Sequence, residues 1–508
     1  MSAASMTVLE RVVKWAGTSP EHRAVGDLDR SVTYRELVDE AQRVASAFAA
    51  RGVNEGDRVV VLVPNSVDFV VAAFACMWFG AVFVPLATTD PPARLAMIVA
   101  DCRPALIVTV DSVETTPATP AGCEIVTLDE LKDAAPTIPA VDDSRRPAYM
   151  IYTSGTTGAP KGVQISTAAF AAAVEATARA VELDETTVTL CISPFHFDGS
   201  YANLFTTLYA GGTVIIRPRD ALLFPRTFFN TVKSERVTYA GFTPSYLRLL
   251  LASPQLESLR ASTLRLIALG GEAISAGELR ALWSHAPALR VFNRYGPTET
   301  TIAVTHAELT PSVIEKDVVP MGAPRDGIVF YLLDDDGAVI DEAHRVGELY
   351  IAGDQLMDGY WNAPELTADV LRTDVVEGEM LYRTGDLVYR DDEGSYHFVG
   401  RSDRVVKRSG VRISLVEITE QMSRIEGVEA VACVTYDRDG EIAIAAFVVG
   451  PKSATPLELR RAASRLLPET MLPDHIHVVE ALPINRSNKL DERRLLGDAG
   501  LAPREKAT

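Results

Sequence analysis

Cysteine is scarce and scattered in this chain of 508 residues: Cys76, Cys102, Cys123, Cys191 and Cys433 include no C-x-x-C pair. That excludes a disulfide framework and a thiolate zinc site, and it is the usage expected of a reducing cytoplasm with packed thiols. Basic residues are also short, 49 Lys and Arg against 68 Asp and Glu, for a net charge of −19. Neither a nucleic-acid footprint nor attraction to an anionic membrane fits that balance, although a local basic site for an anionic substrate remains compatible with it. No secretory signal is expected, because Glu10, Arg11 and Lys14 precede any apolar run. Internal repeats and low-complexity linkers are absent. Only Phe69 to Ala87 is apolar over a length that could span a bilayer. Gly80 and Pro85 interrupt it, so it reads as a buried helix from about Val67 to Phe79 and a buried strand around Val82, Phe83 and Val84.

What is present is apolar surface and alternation. Hydrophobic residues make up 47% of the chain, enough for a large core, and the length suggests about two to four domains. A helix near Thr33 to Arg51, a strand Arg58 to Val63, the helix above, and strands Leu106 to Thr109 and Glu124 to Thr127 alternate as in layered α/β folds with buried, mostly parallel strands. After about Asp317 the texture turns to strand and hairpin, as in GIVFYLLDDDGAVI and GELYIAG. RDDEGSYHFVGR then leads into the charged connector SDRVVKRSG, where a boundary separates 1–402 from a small α+β domain, 403–508. In that domain strands Ala430 to Tyr436 and Ile442 to Val449 precede a helix opened by Thr455, Pro456 and Glu458 as a capping box.

The loop YTSGTTGAPKG, Tyr152 to Gly162, concentrates hydroxyls, glycines and one lysine. A P-loop needs glycine before its lysine and a hydroxyl after it, whereas Pro160 and Gly162 flank Lys161 here. The ingredients still suit a polyphosphate clamp, with backbone N–H groups turned inward as a nest, and they equally suit a solvated turn. Four further motifs follow: NRYGPTETT (Asn293 to Thr301), YRTGDL (Tyr382 to Leu387), GRSDRVVKRSGVRIS (Gly400 to Ser414) and LPINRSNKL (Leu482 to Leu490). Each alone is a common turn. In this order and spacing they closely resemble the adenylate-forming superfamily of acyl-CoA ligases, luciferases and nonribosomal peptide synthetase adenylation domains, over about Ser31 to Arg494.

The resemblance implies a large N-terminal α/β domain with a β-rich part, a small mobile C-terminal domain, and two half-reactions that use ATP and Mg²⁺. A carboxylate first attacks the α-phosphate of ATP and releases pyrophosphate; a thiol then takes the acyl group and AMP leaves. By the same resemblance Thr153, Ser154, Gly155, Thr156, Thr157 and Lys161 hold the β- and γ-phosphates. Tyr295 stacks on adenine opposite Gly270, Gly271 and Glu272, with Gly296 and Thr298 beside it. Glu299 is the Mg²⁺ carboxylate. Asp386 clamps the ribose, assisted by Arg401. Lys489 bridges the attacking carboxylate and the α-phosphate, stabilising charge as it develops. Asp403 is the hinge, and Lys407 and Gly410 line the thiol's entry after the small domain swings. One departure is Val416 before Glu417, where family members commonly carry glycine; it leaves the local loop geometry open.

Substrate choice rests on SPFHFDGSYANLF, Ser193 to Phe205. In amino-acid-activating members an aspartate in this context pairs with the substrate ammonium, and Asp198 fits; otherwise it caps the following helix. His196 or Phe197 supplies a gating aromatic. Gly199, Ala202, Gly241, Ile267 and Leu269 form the rest of the pocket with Arg294, Ile302 and Ala303, so a small or apolar side chain is expected. Arg294 is the exception: it either meets a second substrate carboxylate or, the reading preferred at this point, turns outward to an Asp or Glu elsewhere. FDGSY is also similar to free-standing enzymes that load β-amino acids onto carrier proteins for macrolactam assembly. No G-G-x-S or H-H-x-x-x-D motif is present, so the thiol is expected on a separate phosphopantetheinylated carrier protein, with coenzyme A second. The rival readings are an acyl- or aryl-CoA ligase, and a silent ATP-binding scaffold, against which Glu299, Asp386 and Lys489 all argue.

Overall fold

The computed structural model describes residues 6–113, 117, 123–137, 140, 145–153, 160–315, 318–401, 405–408, 411–438, 441–450, 455–483 and 490–502. The expected hinge, Asp403, and its domain boundary lie outside these residues, as do Ser154, Gly155, Thr156, Thr157, Gly410 and Lys489. The chain is a mixed α/β protein with a large N-terminal and a smaller C-terminal domain.

Apolar patterning decides the layers. Beyond Asp68 in its first turn, the helix Val67–Phe79 is apolar on all sides, which suits an enclosed position. Ser66 caps it by accepting from the Phe69 amide, and Gly80 ends it at φ 80°. The strand Val82–Pro85 follows, buried throughout, parallel to Arg58–Val61. The candidate membrane segment is therefore helix plus core strand, and among the described residues no helix is long and apolar enough to cross a membrane. The helix Tyr34–Ala50 packs on it, started by a capping box of Thr33 and Glu36.

Two large sheets result. A seven-stranded one is built on Pro147–Thr153, Val82–Pro85, Arg58–Val61, Leu106–Thr109 and Glu124–Thr127, with Lys161–Ser166 and Gly359–Tyr360 at the other side. An eight-stranded sheet runs Thr305–Leu309, Arg290–Tyr295, Leu266–Gly270, Tyr239–Phe242, Val188–Cys191, Thr213–Ile216, Arg23–Gly26, Ser31–Thr33, its inner pairs parallel. Parallel strands place all their carboxyl ends on one edge, where ligand crevices form. That edge carries Gly270, Tyr295 and, beyond Cys191, the loop leading to Asp198. A five-stranded antiparallel sheet contains Leu381–Arg390 and Tyr396–Arg401, the expected hairpin.

In the C-terminal domain Ala430–Arg438, Glu441–Val449 and His475–Val479 form a three-stranded sheet, and the Thr455 and Glu458 capping box opens the helix Pro456–Ala463. Val416 does not disturb its neighbourhood: Ser414 caps the helix Leu415–Ser423 by accepting from the Glu417 amide.

Candidate functional site

A cavity of about 1000 Å³ opens where the carboxyl edges of the large sheets meet the paired strands Val405–Arg408 and Val411–Ser414 of the small domain. Asp198, Gly199, Ala202, Gly241, Gly270, Gly271, Arg294, Gly296, Thr298, Ile302 and Ala303 all line it, with Thr153, His196, Phe197 and Lys407.

Asp198 reaches this cavity because its loop is pinned. Asn65 Nδ2 donates to the Ser193 carbonyl at 2.9 Å, and Asn65 Oδ1 accepts from the Phe195 amide at 2.9 Å. Phe195 is buried against Phe69. The carboxylate caps neither the short 3₁₀ turn it begins nor the helix Tyr201–Ala210. Its Oδ2 is buried with no hydrogen-bond partner. Burial pushes its pKa up to about 6; the Thr298 hydroxyl and the Ile302 amide oppose this, and the neighbouring charge of Glu299 adds to it. A carboxylate with one buried oxygen left without a hydrogen bond is costly unless a cation arrives.

Thr301 and Ile302 stand at φ 54° and 70°, a left-handed conformation costly for β-branched side chains. Gln355, fully buried, holds them there: its Nε2 donates to the carbonyls of Thr300 (3.1 Å), Thr301 (2.8 Å) and Ala303 (3.1 Å). Gly296 allows the same turn to close, since a Cβ there would lie 2.6 Å from Ala303 Cα and from the Ile302 carbonyl oxygen. Replacing Gln355 by alanine strands those carbonyls, so we expect a loss of roughly 1–3 kcal/mol in stability. Because the Ile302 amide faces Asp198, KM for the carboxylate substrate that the family resemblance implies should rise as well. Thermal unfolding and substrate titration check this; an unchanged melting temperature and KM would refute it.

Next to this turn Glu299 is fully buried, and Lys161 Nζ stands 3.3 Å from its Oε1. Lys161 donates to the Tyr360 hydroxyl at 2.6 Å, and Tyr360 in turn donates to Glu299 at 2.8 Å. The Lys161 ammonium also sits 4.0 Å over the Tyr360 ring. Tyr295 is buried; its hydroxyl donates to one oxygen of Asp386 while Arg401 donates to the other. Lys407 covers the Tyr295 ring at 5.2 Å. Glu272 turns its carboxylate to the Ser245 amide (2.8 Å) and hydroxyl, leaving only its backbone beside Gly270 and Gly271.

Three expectations need correction. Gly241 pairs with Ala268 and Gly270 with Arg294, so the cavity face of Leu266–Gly270 carries Ala268 and Gly270. Ile267 and Leu269 point to the opposite face, into a core with Leu190 and Ile215. Arg294 does not turn outward to an Asp or Glu: it is 8% exposed, and its partners are the Tyr239 hydroxyl (3.0 Å), Asn203 Oδ1 (3.3 Å) and the Ala202 carbonyl (3.5 Å). Asn65, Gln355 and Tyr360 were not singled out from sequence; each lies 55 residues or more from a group it holds.

Fold and site define an ATP-dependent, AMP-forming ligase of the adenylation-domain type. The chain belongs to the AMP-binding enzyme family, which matches residues 12–361, and the C-terminal domain of AMP-binding enzymes matches residues 417–489. It is 32% identical over 520 residues, 98% of its length, to Surfactin synthase subunit 1 of Bacillus subtilis (strain 168), but spans only 14% of that protein. It is 32% identical over 531 residues to Novobiocin biosynthesis protein H of Streptomyces niveus, covering 100% of this chain and 85% of that one. Holo-PA1221, a nonribosomal peptide synthetase protein containing adenylation and PCP domains bound to a vinylsulfonamide inhibitor, superposes with a TM-score of 0.86 at 26% identity, over 97% of this chain and 84% of that one.

Proposed function

We propose that the protein adenylates an amino acid and passes the aminoacyl group to the phosphopantetheine thiol of a separate carrier protein. The observation that carries this reading is Asp198, a carboxylate lining the cavity with one buried oxygen that has no hydrogen-bond partner. Only an ammonium, as opposed to a hydrocarbon or an aryl ring, repays the burial of that charge.

In the first half-reaction the substrate carboxylate oxygen bonds to the α-phosphorus of ATP as the bond to pyrophosphate breaks. Asp198 fixes the amine, and with it the direction in which the carboxylate faces. Glu299 and Lys161 fit a magnesium triphosphate: a single hard carboxylate suits a cation whose other ligands are phosphate oxygens and water, and the ammonium beside it suits the phosphates. When bound, Mg²⁺ would neutralise charge on the phosphate oxygens. Tyr360 keeps both side chains in place, Tyr295, Asp386 and Arg401 receive the adenosine, and Lys489 supplies the bridging cation. In the second half-reaction the carrier thiol attacks the acyl carbon and AMP departs. Lys407 beside Tyr295 brings the small domain's hairpin against the nucleotide site, the arrangement suited to this second step. PA1221, which combines adenylation and PCP domains, supports a carrier as acceptor.

The test is ATP–pyrophosphate exchange across α-amino acids, β-amino acids and matched acids without nitrogen. Exchange confined to amines is expected, and the preferred series settles the amine position. Equal exchange with the nitrogen-free acids would make the protein an acyl- or aryl-CoA ligase.

A further inference from the structure

Arg294 is a buried cation whose described partners are all neutral. The Tyr239 hydroxyl accepts from Nη1 at 3.0 Å, and the contacts to Asn203 Oδ1 (3.3 Å) and the Ala202 carbonyl (3.5 Å) are long. Among the described residues no carboxylate lies within ion-pairing distance of it. His306, paired opposite it across the strands, carries no charge at neutral pH: burial, Arg294 and Arg325 push it down to about 3. Hydrogen bonds to neutral acceptors satisfy a guanidinium's donors without balancing its charge, and an unbalanced buried charge is expensive.

The cation is aimed at the site. Arg294 lines the cavity that Asp198 lines, and it contacts Ala202, four residues along the same helical segment from Asp198. Room for it is cut into the sheet: a Cβ at Gly241 would lie 2.1 Å from Asn203 Oδ1 and 2.5 Å from Arg294 Nη2. Asn203 is itself fixed, its Nδ2 donating to the Gly241 carbonyl at 3.0 Å and its Oδ1 accepting from Tyr239 at 2.8 Å.

The geometry points to an acidic amino acid as the substrate class: Asp198 holds the amine, Arg294 holds one carboxylate, and the other carboxylate is adenylated. This rests on the amino-acid reading of Asp198. A planar guanidinium accepts a carboxylate through two parallel hydrogen bonds, which a neutral amide or an alkyl group cannot reproduce. In aspartate the amine is α to one carboxylate and β to the other, so these two anchors also decide whether an α- or a β-aminoacyl group is formed.

The experiment is ATP–pyrophosphate exchange by the full chain with aspartate, glutamate, asparagine, 2-aminobutanoate, 3-aminobutanoate and succinate, repeated with Arg294→Met. We expect kcat/KM for aspartate or glutamate to exceed that of every neutral amino acid by roughly a hundredfold or more. Arg294→Met should remove that advantage, lowering kcat/KM far more for aspartate and glutamate than for the neutral amino acids, and hydroxylamine trapping identifies the activated carboxylate. A parent enzyme that prefers neutral amino acids overturns the proposal and leaves amino-acid adenylation standing. An Arg294→Met variant that slows acidic and neutral substrates equally also overturns it, since Arg294 would then serve the fold alone. Succinate exchanging as well as aspartate would instead refute the role of Asp198 while Arg294 keeps its own. Should the methionine variant not fold, the aspartate-to-asparagine ratio of the parent decides alone.

Discussion

Asp198→Asn is expected to abolish selection for the amine and, at the same time, to make the ligand-free protein more stable. The Asp198 carboxyl titrates at about 6 in the fold against an ordinary 3.8, a gap of about two pH units or ~3 kcal/mol. The sign follows from proton counting. Between these two values the folded chain binds more protons than the unfolded chain, so the penalty is fully present above about pH 6 and disappears below about pH 4. The neutral amide of Asp198→Asn carries no such penalty. The variant's melting temperature should therefore exceed the parent's by a few degrees at pH 7.5, and the two should converge as the pH falls to about 4. An ammonium in the pocket reverses the balance, favouring the charged carboxylate. Losing that charge-assisted contact should lower kcat/KM for the amine substrate by roughly a hundredfold to several thousandfold, the equivalent of about 3–5 kcal/mol. In the parent, KM should rise about tenfold for each pH unit below 6, as the substrate must first drive off the proton. Melting curves across pH and an exchange profile from pH 5 to 8 are sufficient. An Asp198→Asn variant no more stable than the parent at pH 7.5, or a parent exchange profile flat through pH 6, would show that this carboxylate faces no cation.

Much of this arrangement is written locally. The helix Val67–Phe79 and strand Val82–Pro85 follow from an apolar run divided at Gly80, because a glycine at φ 80° both ends the helix and frees the chain to return as a strand. The capping box at Thr455 and Glu458 needs only four residues. Asp198 was legible as a candidate because its motif is contiguous. What the sequence hid is tertiary. Tyr360 belongs to a two-residue strand and meets Glu299 and Lys161 only because that strand pairs with Lys161–Ser166. Gln355 supports a turn more than fifty residues away. The facing of Leu266–Gly270 depends on pairing register, and a step of one residue exchanged Ile267 and Leu269 for Ala268 and Gly270. Arginine is so seldom buried that an outward Arg294 was the ordinary expectation; only the positions of Tyr239, Asn203 and Gly241 show the space that admits it.

Arg94→Ala should affect the two half-reactions unequally. Arg94 ties the large domain to the small one: its Nη1 lies 2.6 Å from Oε1 of the fully buried Glu417, and its Nε lies 3.4 Å from Asp90, just before the helix Pro92–Cys102 that carries Arg94. Burial already holds the Asp90 carboxyl above its ordinary range, and Arg94 opposes that shift. Removing the guanidinium leaves two carboxylates without this cation, whereas Glu417→Gln leaves Arg94 with Asp90. Breaking a buried ion pair from one side costs about 3–5 kcal/mol, so Arg94→Ala should be the more damaging of the two. The cost falls only on the orientation in which the domains meet through this pair, the same one that brings Lys407 over Tyr295. Pyrophosphate exchange, which reports the first half-reaction, should therefore change by no more than a few fold. Thioester formation should fall by roughly a hundredfold or more. A double variant, Arg94→Met with Glu417→Leu, should recover the part of the loss that comes from stranding Glu417, because replacing both charges of that pair removes its desolvation problem together with its attraction, while Asp90 stays without this cation. Equal slowing of exchange and thioester formation, or no recovery in the double variant, would mean that the pair stabilises the fold without holding the domains in this orientation.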